Sequence, residues 1–323
     1  MQNLHVINLA QSTSVVVLFR APPPLSVVVA LDDLDCLDLL IWLRTGEQAA
    51  VRLGVSQSKV SRTVAAVSQA LGIELHKSRD EWDLQGDQTL LQLERRVHQQ
   101  YRWIRGKPLR IEAQYYSGPL FCDPVPEGWI AGNVDYLQIH TPLQHLRSGV
   151  IDAWIGCFPD VPEEDDPDLI CFHLTRLPTY LVARPDHPLL LGGRTVTLED
   201  VRQYPSLALA DGAFPKVQAA LQNLGLWNLT ESRLRDLNRY SRKLWEGRVE
   251  RDLVIGYATA FTIGLFETAQ VILPLPPLLE VGDTLVLRRE YAEHPRLLEL
   301  LRHLRLRARA LSEQYPDVSL PQS

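Results

Sequence analysis

The chain has 323 residues, 46% of them hydrophobic and 22% charged, with 39 acidic against 33 basic side chains and a net charge of −6. That length suits roughly two or three domains with a sizeable core and no need of disulfides or metals, and the composition excludes a wholly disordered chain and a polytopic membrane protein. The negative charge excludes general adhesion to nucleic acid, so any DNA contact must come from a local basic surface.

Residues 1–30 do not match the rest. Short apolar runs at 15–19 and 27–29 are split by Pro22, Pro23 and Pro24. The runs fall far below the ~18 residues that span a bilayer, and the prolines continue neither a helix nor a central strand. No basic residue precedes the first run, which argues against a secretory signal. The stretch reads as a flexible extension, or as upstream sequence outside the domain. Met1 is the only methionine, so a shorter product would need a non-AUG start.

From Leu31 the pattern turns helical, with Leu34, Leu37 and Ile41 in step and Asp32, Asp33, Asp35 and Asp38 near the positive end of the helix dipole. Two further helices are expected at 47–53 and 57–71, joined by a turn at Gly54, which indicates a helix-turn-helix. Residues 73–84 read as a two-stranded wing. The winged helix-turn-helix is thus placed at 31–88. A linker helix at 89–107 carries Leu90, Leu93, Val97, Tyr101 and Ile104 as one apolar stripe. A lone amphipathic helix needs a partner, and a second copy of the chain is the simplest one, so a homodimer is expected.

From 108 to 323 short apolar strands alternate with helices. Strands are expected at 109–113, 134–139, 151–155, 179–183, 253–257, 271–275 and 284–287, and helices at 142–146, 198–203, 216–224 and 295–311. The alternation predicts an α/β domain with largely parallel sheets. Residues 159–168 form an acidic, proline-broken loop in solvent. In the last helix, leucines including Leu298 face the sheet and Arg302, Arg305, Arg307 and Arg309 face water.

The stretch 55–62, V-S-Q-S-K-V-S-R, carries the functional signal. Ser56 can cap the helix that follows, and Val55, Val60, Val64, Val67 and Leu71 form its buried face. Gln57, Ser58, Lys59, Ser61 and Arg62 are left outside at its N-terminal end, the end a helix-turn-helix presents to base edges. Gln can read adenine, and Arg can read guanine or hold a phosphate. Lys77 and Arg79 add cations on the wing.

This run resembles the recognition helix of LysR-type transcriptional regulators, and L-G-I-E-L at 71–75 resembles the start of their wing. Further matches are P-L-R-I-E-A at 108–113, L-Q-H-L-R-S-G-V-I-D-A-W-I-G at 143–156, L-V-A-R-P-D-H-P-L at 181–189 and V-T-L-E-D-V-R-Q-Y-P at 196–205. The resemblance implies an α plus α/β fold: a winged helix-turn-helix, a dimerising linker helix and a two-lobed effector domain like a periplasmic binding protein. Lobe I would span about 108–170 and 266–311, and lobe II about 171–265. It also implies double-stranded DNA as partner, a small effector between the lobes, a homodimer or homotetramer, and a cytoplasmic protein. It implies no enzyme, cofactor, metal or membrane, and no hydrolase, P-loop, dinucleotide or zinc-protease motif stands in the chain.

The chain departs from that family in places. His76 and Ser78 stand where the wing has a phenylalanine and an arginine, and His76 is expected to fill the core as the aromatic does. Residues 31–107 hold 11 basic and 11 acidic side chains, and wing acids weaken phosphate binding. This motivates an alternative: a degenerate relative serving as a protein-interaction or ligand-binding subunit. The first effector lobe is shortened, with 115–128 read as coil. Ser117 and Thr141 are the candidate effector contacts, Thr141 having a helix cap as its plainer role. His187 is expected to hydrogen-bond backbone. Cys36, Cys122, Cys157 and Cys171 have no metal or redox spacing and read as buried thiols.

Overall fold

The computed structural model describes residues 29–78, 80–193, 195–210, 212–229 and 239–321. The extension expected at 1–30 falls almost wholly outside them, as does Arg79.

The head opens with α1 (Leu31–Leu43), an apolar helix buried nearly all round. At the start of α2 (Gly46–Leu53) the Thr45 hydroxyl accepts the Gln48 N–H at 3.2 Å. At the start of α3 (Gln57–Leu71) the Ser56 hydroxyl accepts the Lys59 N–H at 3.3 Å. Such caps satisfy donors that a helix start leaves open. Gly54 turns the chain between them at φ 64°, a left-handed conformation that costs glycine nothing sterically. β1 (Ile73–Ser78) and β2 (Glu81–Gly86) pair antiparallel as the wing, Ile73 opposite Gly86 and Ser78 opposite Glu81.

His76 is not in the core. Side chains alternate along a strand, and β1 buries Ile73, half-buries Leu75 and turns His76 outward, its Nε2 3.3 Å from a Glu74 carboxylate oxygen.

α4 (Thr89–Arg105) is the linker helix. Its apolar stripe faces solvent, with Leu90, Leu93, Val97 and Ile104 55–68% exposed. The opposite face buries Leu91 and Trp103 together with Arg95, His98, Gln99 and Arg102. The helix therefore docks on its own chain largely through polar groups and keeps its apolar side free.

The first lobe holds β3 (Leu109–Ala113), α5 (Ser117–Phe121), β4 (Trp129–Ala131), α6 (His140–Arg147), β5 (Ala153–Phe158) and β6 (Leu169–His173). The second holds β7 (Leu177–Ala183), α7 (Pro188–Leu191), α8 (Leu198–Val201), α9 (Pro215–Asn223), α10 (Glu246–Arg251), β8 (Gly256–Ala258) and β9 (Val271–Ile272). β10 (Leu279–Arg288) runs between the lobes, and α11 (Pro295–Gln314) returns to the first.

The sheets are mixed, which corrects the largely parallel expectation. Among the described strands, the only parallel pairings are those of β3 with β4 and with β5. β10 pairs antiparallel with β7 through 279–281, then with β5 on one edge and β6 on the other. A strand returning from the second lobe enters the first against the direction of β5. Where it passes the β6–β7 link, a Cβ on Gly282 would stand 2.1 Å from the Thr175 carbonyl oxygen, so only glycine fits this crossing.

The strand expected at 134–139 is reduced to a bridge at Tyr136. Val134 takes φ 47°, and its N–H goes to the Glu112 carboxylate at 2.9 Å instead of to a ladder. Residues 117–121, read as coil, form the short α5. His187 Nδ1 accepts the Leu189 N–H at 3.2 Å and caps α7. α11 buries Leu297, Leu300, Leu301, Leu304, Ala308 and Leu311, but Leu298 is exposed. Arg307, expected in solvent, donates to the Phe121 and Pro124 carbonyls, at 2.6 Å each. None of the described helices is long and apolar enough to cross a membrane.

Candidate nucleic-acid interface and inter-lobe cleft

α3 buries Val60, Val64, Val67 and Leu71 against the head, with Val55 half-buried before it. That packing fixes which residues are left outside. Ser56, Gln57, Ser58, Lys59, Ser61 and Arg62 are all exposed, on the cap and first turns of one helix. Ser61 donates to the Gln57 carbonyl at 3.2 Å, and Arg62 Nε to the Ser58 carbonyl at 3.3 Å. Both are local bonds that an incoming acceptor can replace. Lys77 lies on the wing, its Nζ 3.7 Å from Asp80 and 5.8 Å from the Trp82 ring centre. It is therefore partly engaged, and Glu74 and Asp80 are exposed beside it.

Behind this face the head is joined to lobe I by buried polar contacts. Trp42 Nε1 donates to Glu112 Oε2 at 2.7 Å. Arg44, wholly buried, lies 2.8 Å from Glu81 and 2.7 Å from Asp135, with its guanidinium 4.1 Å from the Tyr136 ring centre. Arg95 meets Asp38 at 2.8 Å, Arg110 meets Asp35 at 2.7 Å, and Arg102 meets Asp152 at 3.0 Å. One apolar cluster also runs from Leu34, Trp42 and Val60 in the head to Leu146, Ile151, Trp154 and Val286 in lobe I. By position along the chain the α1 aspartates read as dipole partners. Asp35 and Asp38 instead serve as counter-ions to Arg110 and Arg95, a role that local spacing does not reveal. Burial pushes the Glu81 and Glu112 carboxyls up to about 7, Arg44 pulling each back.

Thr141 does not cap α6, which starts at His140 without a side-chain cap. It lines a polar groove of about 420 Å³ between the wing and lobe I, where Ser78, Asp83, Gln88 and Gln144 also lie. His145 sits in the wall of this groove. Burial, with Arg95 and Arg44 nearby, pushes its imidazole down to about 3. The folded-state value lies below the unfolded one, so the unfolded chain takes the proton first and stability falls as pH drops from about 6.5 towards 3. From about pH 6.5 to 5 the wild type is expected to lose up to about 2 kcal/mol more than His145→Leu. Glu81 and Glu112 titrate with the opposite sign in both proteins, so the difference between the two isolates His145. Urea unfolding at the two pH values reads it, and equal losses would remove the role given to His145.

Ser117 is fully buried, and its hydroxyl donates to Asp283 Oδ1. Thr175 donates to the other oxygen of the same carboxylate at 2.6 Å. Ser117 thus helps to hold β10 where it crosses between the lobes. The structure does not bring Ser117 and Thr141 to one cavity. The cavity between the lobes, about 110 Å³, is bounded by Tyr115, Tyr116 and Cys157 on the lobe I side and by Phe214, Trp245 and Glu246 on the other. Nothing in the sequence spacing joins its lining residues, because its walls come from many separate segments between Tyr115 and Val281. Burial raises the Cys157 and Cys122 thiols to about 12 and the Cys171 thiol to about 11, so all three stay protonated and inert near neutrality.

The family model described as LysR substrate binding domain matches residues 134–309. A full-length OxyR from Pseudomonas aeruginosa, with one cysteine replaced by aspartate, is similar at a TM-score of 0.57 and 20% identity, over 91% of this chain and 99% of that one. Full-length CbnR complexed with its target DNA is similar at a TM-score of 0.50 and 17% identity, over 86% and 99%. At such identities the likeness is one of fold. None of the curated proteins matches the chain.

Proposed function

The chain belongs to the LysR family, and from that premise we propose that it is a sequence-specific transcription regulator that binds double-stranded DNA and is controlled by a small effector held between its lobes. The observation that carries this reading is the exposed end of α3, where Ser56, Gln57, Ser58, Lys59, Ser61 and Arg62 stand together on a winged head. Gln57 and Arg62 suit base edges, Ser56 and Ser58 suit phosphates or bases, and Lys59, Lys77 and Arg79 suit phosphates. The effector acts by preferring one arrangement of the lobes. Ser117 then contributes through Asp283 at the crossing rather than by touching the effector, and Thr141 belongs to the groove under the wing.

The outward stripe of α4 is the surface for a second copy, giving a homodimer or, with further contacts, a homotetramer. Two heads would then read a pseudo-palindromic site in the cytoplasm, where the DNA lies. A second reading, a subunit that binds DNA weakly or not at all, is favoured by Lys77 being engaged with Asp80.

Fluorescence anisotropy separates the two, using the protein's own upstream DNA, genome-selected fragments and a scrambled duplex across a salt series. A regulator prefers a genomic duplex, binds two chains per site, and loses about ten- to a hundredfold in affinity for it on Arg62→Ala. Equal, weak binding to every duplex, indifferent to Arg62, supports the second reading.

A further inference from the structure

The cavity between the lobes has an unusual charge inventory. Its walls are aromatic and aliphatic, with Tyr115, Phe214, Trp245 and Tyr257 among them, and no described lysine, arginine or histidine lines it. Its one ionisable acid is Glu246, only 7% exposed. Glu246 Oε2 accepts the Tyr240 hydroxyl at 2.8 Å, and Tyr240 stacks on Tyr115 with ring centres 3.9 Å apart. The nearby Arg242 is engaged elsewhere, 3.3 Å from Glu250 and 2.5 Å from Glu267. The Trp245 indole N–H and the Thr179 hydroxyl, both in the wall, have no hydrogen-bond partner among the described residues.

A buried acid whose nearby arginine, Arg242, is shared with two other carboxylates is costly to keep charged. An anionic ligand would add repulsion from Glu246 to its own desolvation. A neutral apolar ligand would strip water from Glu246 and return nothing. A cation completes the pair, and aromatic faces attract the same charge. The volume, about 110 Å³, approaches the ~150 Å³ of a cavity that admits benzene. We propose that this cavity binds a small hydrophobic amine, its body against the aromatic walls and its ammonium group on the Glu246 carboxylate. The proposal rests on the effector-controlled reading above and names the effector's chemical class.

Titration calorimetry of the full-length protein with benzylamine, benzyl alcohol and benzoate tests it, three probes of one shape that differ in charge. Benzylamine is expected to bind tightest and benzoate weakest, about tenfold or more apart. Glu246→Gln keeps an acceptor for Tyr240. It should weaken benzylamine by about tenfold or more while moving benzyl alcohol less than about threefold, which shows that the pocket is intact. Benzoate binding as tightly as benzylamine, indifference of benzylamine to Glu246→Gln, or no binding of any probe at millimolar concentration would each overturn the proposal. None of these outcomes touches the regulator reading, which the DNA titration decides on its own.

Discussion

Asp152→Ala is expected to cost about 3–5 kcal/mol of folding stability, among the largest losses any single side chain here would cause. Asp152 is fully buried just before β5. Its Oδ2 accepts Arg102 Nε at 3.0 Å and the Arg110 N–H at 2.9 Å, and its Oδ1 accepts Arg102 Nη2 at 3.0 Å and Gln99 Nε2 at 3.1 Å. It belongs to a cluster in which Asp35, Asp38 and Asp152 balance Arg95, Arg102 and Arg110. Without it, Arg102 keeps, among the described residues, the Gly149 carbonyl as its one acceptor, at 2.7 Å, and the buried cluster carries an uncompensated positive charge. Breaking one side of a buried pair is far worse than removing both. The double variant Arg102→Met with Asp152→Leu should therefore recover most of the loss. Urea unfolding of the two variants checks this. A cost below about 1 kcal/mol for Asp152→Ala would mean that water already reaches the cluster.

Much of the head was legible in the sequence for local reasons. Ser56 before an apolar run and Gly54 between two helices are signals whose physics acts within a few residues. α3 spans the expected 57–71, as Gln57–Leu71. The exposed end of α3 followed at once, because naming the buried valines names the outside. The long-range charges were not legible. Arg102 and Arg95 lie on a helix whose visible pattern is the leucine and valine stripe, and that stripe pointed to the face which stays outside. Their partners Asp152 and Asp38 stand 50 and 57 positions away. His76 misled for a similar reason. A family likeness supplied an aromatic at that place, but strand alternation decides the side, and Trp82 on β2 packs against the head instead, its Nε1 donating to the Arg44 carbonyl at 2.9 Å. The cleft was the least visible part, because a cavity is a property of surfaces that meet only after folding.

Arg44→Ala is expected to loosen the head from lobe I, at a cost of about 3 kcal/mol. Arg44 follows α1 with φ 70°. An arginine and an alanine pay the same backbone cost there, so the change reads the side chain alone. That side chain joins three parts of the molecule: α1 by its backbone, the wing through Glu81, and lobe I through Asp135 and the Tyr136 ring. Removing it leaves the nearly buried Glu81 without its 2.8 Å ion pair and opens a space beside Tyr136. With the shared apolar cluster and these charges in place, the head and lobe I should unfold as one unit. Amides of α3 and of β5 should then exchange with deuterium at the same opening free energy. In Arg44→Ala the α3 amides should open first, while β5 keeps most of its protection. Different opening energies already in the wild type would show that the head is an independent module, and the geometry of the two heads on DNA would then be set by the linker helix alone.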